Sequence, residues 1–289
     1  MPPDSRLVAM PEAVYLAAGD RCLLLDPATG TTLRELPYAD KNAQAEAPAV
    51  STIRLSEEVI VITYGYPSED APGKHVAALD RKSGQRLWER TAQRVYGLQA
   101  VALGGGRAYL SDSISLQMVR NLMSKGKTIE PEDSTLVALH LRQGTVLWTQ
   151  KQPVNRELLK KIWPDREARQ KEFWLGAPEW LAYSEACDVL LTGRIHETYG
   201  RNPKTGEAFW HQTAEHHGWI GYSGSPILRG PTFIVQDGGV FEVRTDARVT
   251  PDFKAFMSYM GCTYAVAGEY VLTHRWPFAA VLDLTTGKQ

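Results

Sequence analysis

Four histidines are the residues whose type and spacing come closest to a chemical site. His211, His216 and His217 fall on one short stretch, with His196 one strand earlier. Imidazoles gathered by a loop can hold zinc or copper. The stretch itself, Trp210-His211-Gln212-Thr213-Ala214-Glu215-His216-His217-Gly218, reads as a strand end entering a connector, which fixes no ligand geometry. Ser223-Gly224-Ser225 lacks the Gly-x-Ser-x-Gly elbow and an identifiable acid–base partner. Gly104-Gly105-Gly106 joins two expected strands instead of opening a helix, so it does not cradle phosphate. Cys22, Cys187 and Cys262 stand apart with no CxxC, against a structural zinc or c-type haem site. They read as buried strand thiols, with one disulfide plus a free thiol as the alternative. His75, His140 and His274 lie in apolar strands and are expected to be satisfied core residues. On these grounds no catalytic, cofactor-binding or metal-ligating residue is assigned.

The elements around these residues are set by a repeated turn. It is clearest at Asp80-Arg81-Lys82-Ser83-Gly84-Gln85-Arg86-Leu87-Trp88 and returns at His140 to Trp148 and Asn202 to Trp210. Asp26 to Gly30 gives the front half, with Arg34 where the tryptophan should stand, and Asp283 to Gly287 gives it again. Self-similarity of this kind outranks other signals and sets the architecture. The turn is a β-hairpin: the leading polar side chain accepts backbone hydrogen bonds, and glycine supplies positive φ. Apolar strands precede it, and the large aromatic after it suits a wedge between neighbouring sheets.

Short strands separated by such turns predict an all-β β-propeller of four-stranded antiparallel blades, about six in this chain, in one domain over 1–289. Blade one spans Leu7 to Leu36, blade two Ser51 to Thr91 and blade three Gly97 to about Gln150. Blade four spans Leu181 to Gln212, blade five Ser225 to about Thr250, and blade six begins at Thr263. Two helical insertions are expected, at 112–134 and 151–176. In the first, Leu116, Val119, Leu122 and Met123 recur at helical spacing; in the second, Asn155 can cap a helix carrying Leu158, Leu159 and Ile162. The fifth repeat turn reads as decayed to Arg244-Thr245-Asp246-Ala247, without glycine or tryptophan.

Composition narrows the function classes. With 32 basic and 33 acidic residues the net charge is −1, and no basic stripe marks a nucleic-acid binder. The densest basic stretch, Arg156 to Lys171, is interleaved with Glu157, Asp165 and Glu167, as on a solvated helix face. No apolar run approaches the ~18 residues that span a bilayer. The start, Met1-Pro2-Pro3-Asp4-Ser5-Arg6, lacks the apolar core of a signal peptide.

Through the turns at 80–88, 140–148 and 202–210, two of them degenerate at the first position, the chain resembles the PQQ-like β-propeller repeat family. Quinoprotein dehydrogenases and BamB-type assembly lipoproteins share that repeat, and a WD40/YVTN-like architecture is implied. Tyr222 to Leu228 and Gly261 to Thr273 also resemble large secreted bacterial propellers. The resemblance implies a periplasmic or cell-envelope setting and seven or eight blades, and on that basis the chain is expected to be a fragment of a longer protein. Dehydrogenases of the family use an adjacent cysteine pair, a calcium and an aspartate base; this sequence has no adjacent cysteines, and none of its carboxylates maps onto those roles. The expected function is therefore a non-catalytic scaffold binding a protein or envelope component, without a cofactor. The alternatives are a quinone- or metal-dependent oxidoreductase and a metal-binding module at His211, His216 and His217.

Overall fold

The computed structural model describes residues 6–40, 42, 45–69, 73–114, 116–127, 132–158, 179–194, 197–213, 226–234, 240–249, 263–267, 270–275 and 278–283. Each stretch of alternating or wholly apolar residues bounded by Gly, Pro or Asp becomes a strand of a meander, paired in chain order. Blade one is β1 (Leu7–Ala9), β2 (Val14–Ala18), β3 (Arg21–Leu25) and β4 (Thr32–Pro37). Blade two is β5 (Ala49–Leu55), β6 (Val59–Gly65), β7 (His75–Asp80) and β8 (Arg86–Thr91). Blade three is β9 (Val95–Gly104), β10 (Arg107–Ser113), β11 (Ser134–His140) and β12 (Val146–Gln152). Blade four is β13 (Trp180–Ser184), β14 (Val189–Arg194), β15 (Glu197–Arg201) and β16 (Ala208–Thr213). Blades five and six have three described strands each: β17 (Ile227–Arg229), β18 (Thr232–Ile234) and β19 (Val240–Glu242), then β20 (Thr263–Ala267), β21 (Tyr270–Arg275) and β22 (Phe278–Asp283). All pairings are antiparallel, and the fold is that of a β-propeller.

The chain forms two compact units. One comprises Asp4–Glu179, with blades one to three; the other comprises Met1–Pro3 and Trp180–Gln289, with blades four to six. In the first unit β5 lies against β1 on one side and β9 on the other. Every residue of β6 is buried, whereas β4 is largely exposed, so the first strands gather inward and the fourth strands form the rim. Ile53, Ile60, Ile62, Ala77 and Leu79 of blade two, all fully buried, join Tyr15, Leu24 and Leu36 of blade one in one core. The opposite face of blade two packs Val59, Val61, Val76 and Ala78 on Ala108, Leu110, Val137 and Leu139 of blade three. In the second unit Trp180, Val189 and Leu191 of blade four pack on Phe233, Phe241 and Val243.

The first insertion contains α1 (Leu116–Ser124), as its 3.6-residue spacing predicts, with Val119 fully buried. In the second, the Leu158 N–H donates to Asn155 Oδ1 at 3.0 Å, the expected N-cap, and 159–178 lie outside the described residues.

Candidate functional site

The repeated turn is built alike in its described copies, and 284–287 of the copy that begins at Asp283 lie outside the described residues. Asp80 accepts the Ser83 N–H at 2.8 Å and its hydroxyl at 2.9 Å; Asp26 accepts N–H groups from Ala28 and Thr29, and Asn202 one from Lys204. The hairpin closes through Gly84 N–H to Asp80 O and Asp80 N–H to Gln85 O, both 2.8 Å. His140 takes the aspartate's place in blade three, where its Nδ1 accepts the Gln143 N–H at 3.3 Å. It is a half-buried turn acceptor and not the core residue expected from its strand.

Blade five has the same turn two residues earlier than the sequence suggests. Glu242 N–H donates to Ala247 O and Asp246 N–H to Glu242 O, both 2.9 Å, and Asp246 sits at φ 59° where other copies have glycine. Aspartate tolerates this left-handed conformation better than most side chains, which is why the turn survives loss of its glycine.

Beyond Gly30, Gly84, Gly144 and Gly206 the outer strand bulges. Leu24 pairs with Arg34 but Leu25 with Thr32; Ala78 pairs with Trp88 but Leu79 with Arg86. The same slip occurs at Trp148 and Trp210. One extra residue is thereby pushed out of the ladder in each of these four blades: Leu33, Leu87, Leu147 and Phe209.

The residue after the bulge reaches the next blade. Trp88 Nε1 donates to Leu141 O at 2.7 Å, and an added Cβ on Gly144 would lie 2.5 Å from Trp88 Cγ. Trp210 Nε1 donates to Val243 O at 3.0 Å and its ring stacks on Phe233 with centroids 6.1 Å apart. Arg34 does the same with its guanidinium, donating to Lys82 O at 2.7 Å and Ser83 O at 3.2 Å. Each is a latch: a donor on one rim strand meets turn carbonyls of the following blade. Charged pairs reinforce the latches. Arg142 of blade three bonds Asp80 at 2.9 Å and Glu58 at 3.3 Å, and Arg81 of blade two bonds Tyr15 and Glu12 of blade one.

Two clusters of titratable groups lie on the sheets. In blade four His211 Nε2 meets Glu197 Oε1 at 2.9 Å, and the imidazole stacks on Tyr199 at 4.4 Å and 12°. The Arg201 guanidinium lies 4.5 Å from the Tyr199 ring centre and donates to Thr192 Oγ1 and Gly206 O. Burial, then the nearby Glu197 carboxylate, push the Tyr199 hydroxyl well above its ordinary range. In blade two His75 Nε2 meets Glu69 Oε1 at 2.8 Å, Nδ1 meets Thr91 Oγ1 at 3.1 Å, and the ring stacks on Tyr64, whose hydroxyl donates to Glu89. Burial, then the Glu89 carboxylate, push the Tyr64 hydroxyl above its ordinary range as well, so both phenols stay protonated.

Of the sequence-identified histidines the structure therefore ties His211 to a glutamate and a tyrosine. His196, His216, His217 and Ser223 to Ser225 lie outside the described residues, as do Cys262 and the His274 side chain. Among the described residues no group of three or more His, Cys, Asp or Glu is placed to hold a metal. Glu197 was not singled out from sequence; it stands two residues before Tyr199, the cross-strand partner of His211, so its side chain reaches the imidazole on the diagonal. Cys22 is fully buried in β3, where burial pushes its thiol up to about 12, and Cys187 is buried before β14. Neither is a ready nucleophile. The two described thiols are free and lie in different blades.

Comparison with known proteins places the chain in a family. The model for the outer membrane protein assembly factor BamB matches residues 4–158 and 72–288, and the chain belongs to this family of PQQ-like propellers. No curated protein sequence matches it. Among solved structures, BamB from Moraxella catarrhalis is 12% identical with a TM-score of 0.51, covering 94% of this chain and 67% of that one. The Dos1 propeller is 10% identical with a TM-score of 0.58, covering 93% and 64%. The quinohemoprotein alcohol dehydrogenase ADHIIG from Pseudomonas putida HK5 is 13% identical with a TM-score of 0.52, covering 97% of this chain and 43% of the enzyme. At these identities the likeness is one of fold. No described helix is long and apolar enough to cross a membrane.

Proposed function

We propose that the chain is a non-catalytic propeller scaffold, acting as one domain over 1–289, that binds a protein or cell-envelope partner through its rim. The observation that carries this reading is the bulged position. Leu33, Leu147 and Phe209 occupy it in three blades and are 53%, 46% and 50% exposed. A large apolar side chain set out of the ladder by the same bulge in successive repeats adds little to any core and offers contact area to a partner. Membership of a family described as an outer membrane assembly factor supports a protein partner and an envelope setting.

The test is photo-cross-linking in cells from reactive residues placed at Leu147 and at Phe209. A discrete adduct with one partner, lost when the remaining bulged residues are changed to glutamate while the melting temperature is kept, agrees with the proposal. Adducts indifferent to those changes, or none at all, contradict it.

A further inference from the structure

A strand paired on one side only leaves N–H and C=O groups open on the other, and folded proteins guard such edges with charge or proline. Of β4, β8, β12 and β16, the first two are guarded in this way. β4 ends on Pro37 and carries Arg34 and Glu35, and β8 carries Arg86, Glu89 and Arg90. β12 holds a single charge, Lys151, next to its last residue. It is also the longest, with 7 residues against 6 in each of the others. Past its bulge Trp148 to Gln152 keep unbroken register with Ala138 to Ser134, one pair more than β16 keeps from Trp210 to Thr213.

The side chains along this edge are accessible. Val146 and Leu147 are 49% and 46% exposed, and Thr149 and Lys151 are exposed as well. β12 is the terminal strand of its sheet, and among the described residues only β11 pairs with it. Beyond it the Val154 N–H donates to Asp133 Oδ1 at 3.0 Å, which ties the departing chain to the residue before β11. Lys151 makes no ion pair among the described residues.

We propose that β12 is an acceptor edge on which the partner adds an extended strand, main chain to main chain. This rests on the reading of the rim as a protein-binding surface and names the mode of recognition. The added strand sets apolar side chains beside Val146 and Leu147 and a carboxylate beside Lys151. A second copy of β12 would bring another lysine and no carboxylate, so the occupant is a segment of a different polypeptide.

The test uses the full chain and a synthetic peptide of about ten residues, alternating valine and threonine with a glutamate near one end. On binding, amide exchange read by NMR within 146–152 should slow at least about tenfold. N-methylation of alternate peptide residues deletes the N–H groups of one edge and keeps the side chains, and should weaken binding at least about tenfold. Thr149→Lys should weaken it likewise while the melting temperature is kept. An absence of binding, binding indifferent to N-methylation, or protection centred on β4, β8 or β16 overturns the proposal. So does a dimer in light scattering that the peptide dissociates, which would make the edge an interface between copies. Cross-linking from Leu147 reports a rim partner whatever its mode of docking. An adduct that persists while the peptide results fail keeps the scaffold reading and removes strand addition.

Discussion

Asp80 shows how a single residue serves both turn and interface. The Ser83 N–H and hydroxyl, followed by the Arg142 guanidinium, hold its carboxyl well below the usual carboxylate range, at about 2. A depressed folded value contributes stability that is complete above the unfolded value of about 3.9 and is lost as pH falls toward 2. Asparagine fills the same turn position at Asn202, so Asp80→Asn keeps the turn and removes the charge. The melting temperature of wild type should exceed that of Asp80→Asn at neutral pH, and the gap should close between about pH 4 and pH 2. A gap independent of pH would assign the effect to packing. At the matching position His140→Asp should stabilise blade three by about 0.5 kcal/mol in urea unfolding, since a carboxylate is the better acceptor for turn N–H groups.

At the scale of the element, the outer strand carries the cost of misplacing a blade. Trp88→Leu removes both the N–H bond to Leu141 and ring contact with Gly144, and should cost about 2–4 kcal/mol in chemical denaturation. Arg34→Ala, at an exposed site, should cost about 1 kcal/mol or less. Gly193 answers to a different constraint, because an added Cβ would lie 2.0 Å from the Trp180 ring. Gly193→Ala should therefore cost more than about 3 kcal/mol and shift tryptophan fluorescence. Strand order and nearly every strand were legible in the sequence, since turn glycines and apolar runs encode them locally. The fifth turn was legible only in part, because Asp246 stands where pattern-reading looks for glycine. Arg34 was visible as a missing tryptophan, but its equivalent role depends on carbonyls 48 and 49 residues away. The bulges were illegible: one extra residue in a ladder leaves no mark in composition. The pairing of His211 with Glu197 was missed for the same reason, as it depends on cross-strand register.

Over the whole molecule, latches of one design occur within both compact units, by tryptophan in blades two and four and by arginine in blade one. Stability is thus distributed along the repeats, as expected when each sheet contacts only its neighbours. Chemistry is not concentrated anywhere among the described residues: the imidazoles His75 and His211 are each tied to a glutamate, and both described thiols are buried. Leu33, Leu147 and Phe209 place apolar side chains at the surface where the outer strands bulge.

The central claim is that the turn glycine is the seat on which consecutive blades latch. It is tested most directly by comparing the unfolding free energies of Gly144→Ala and Gly106→Ala. The two positions share their backbone conformation, at φ +70° and +72°, and differ in that only Gly144 lies under Trp88. The account predicts a loss of about 1–2 kcal/mol at Gly106 and at least about 2 kcal/mol more at Gly144. Equal losses would mean that the tryptophan merely rests on the neighbouring turn, and the latch would have to be abandoned.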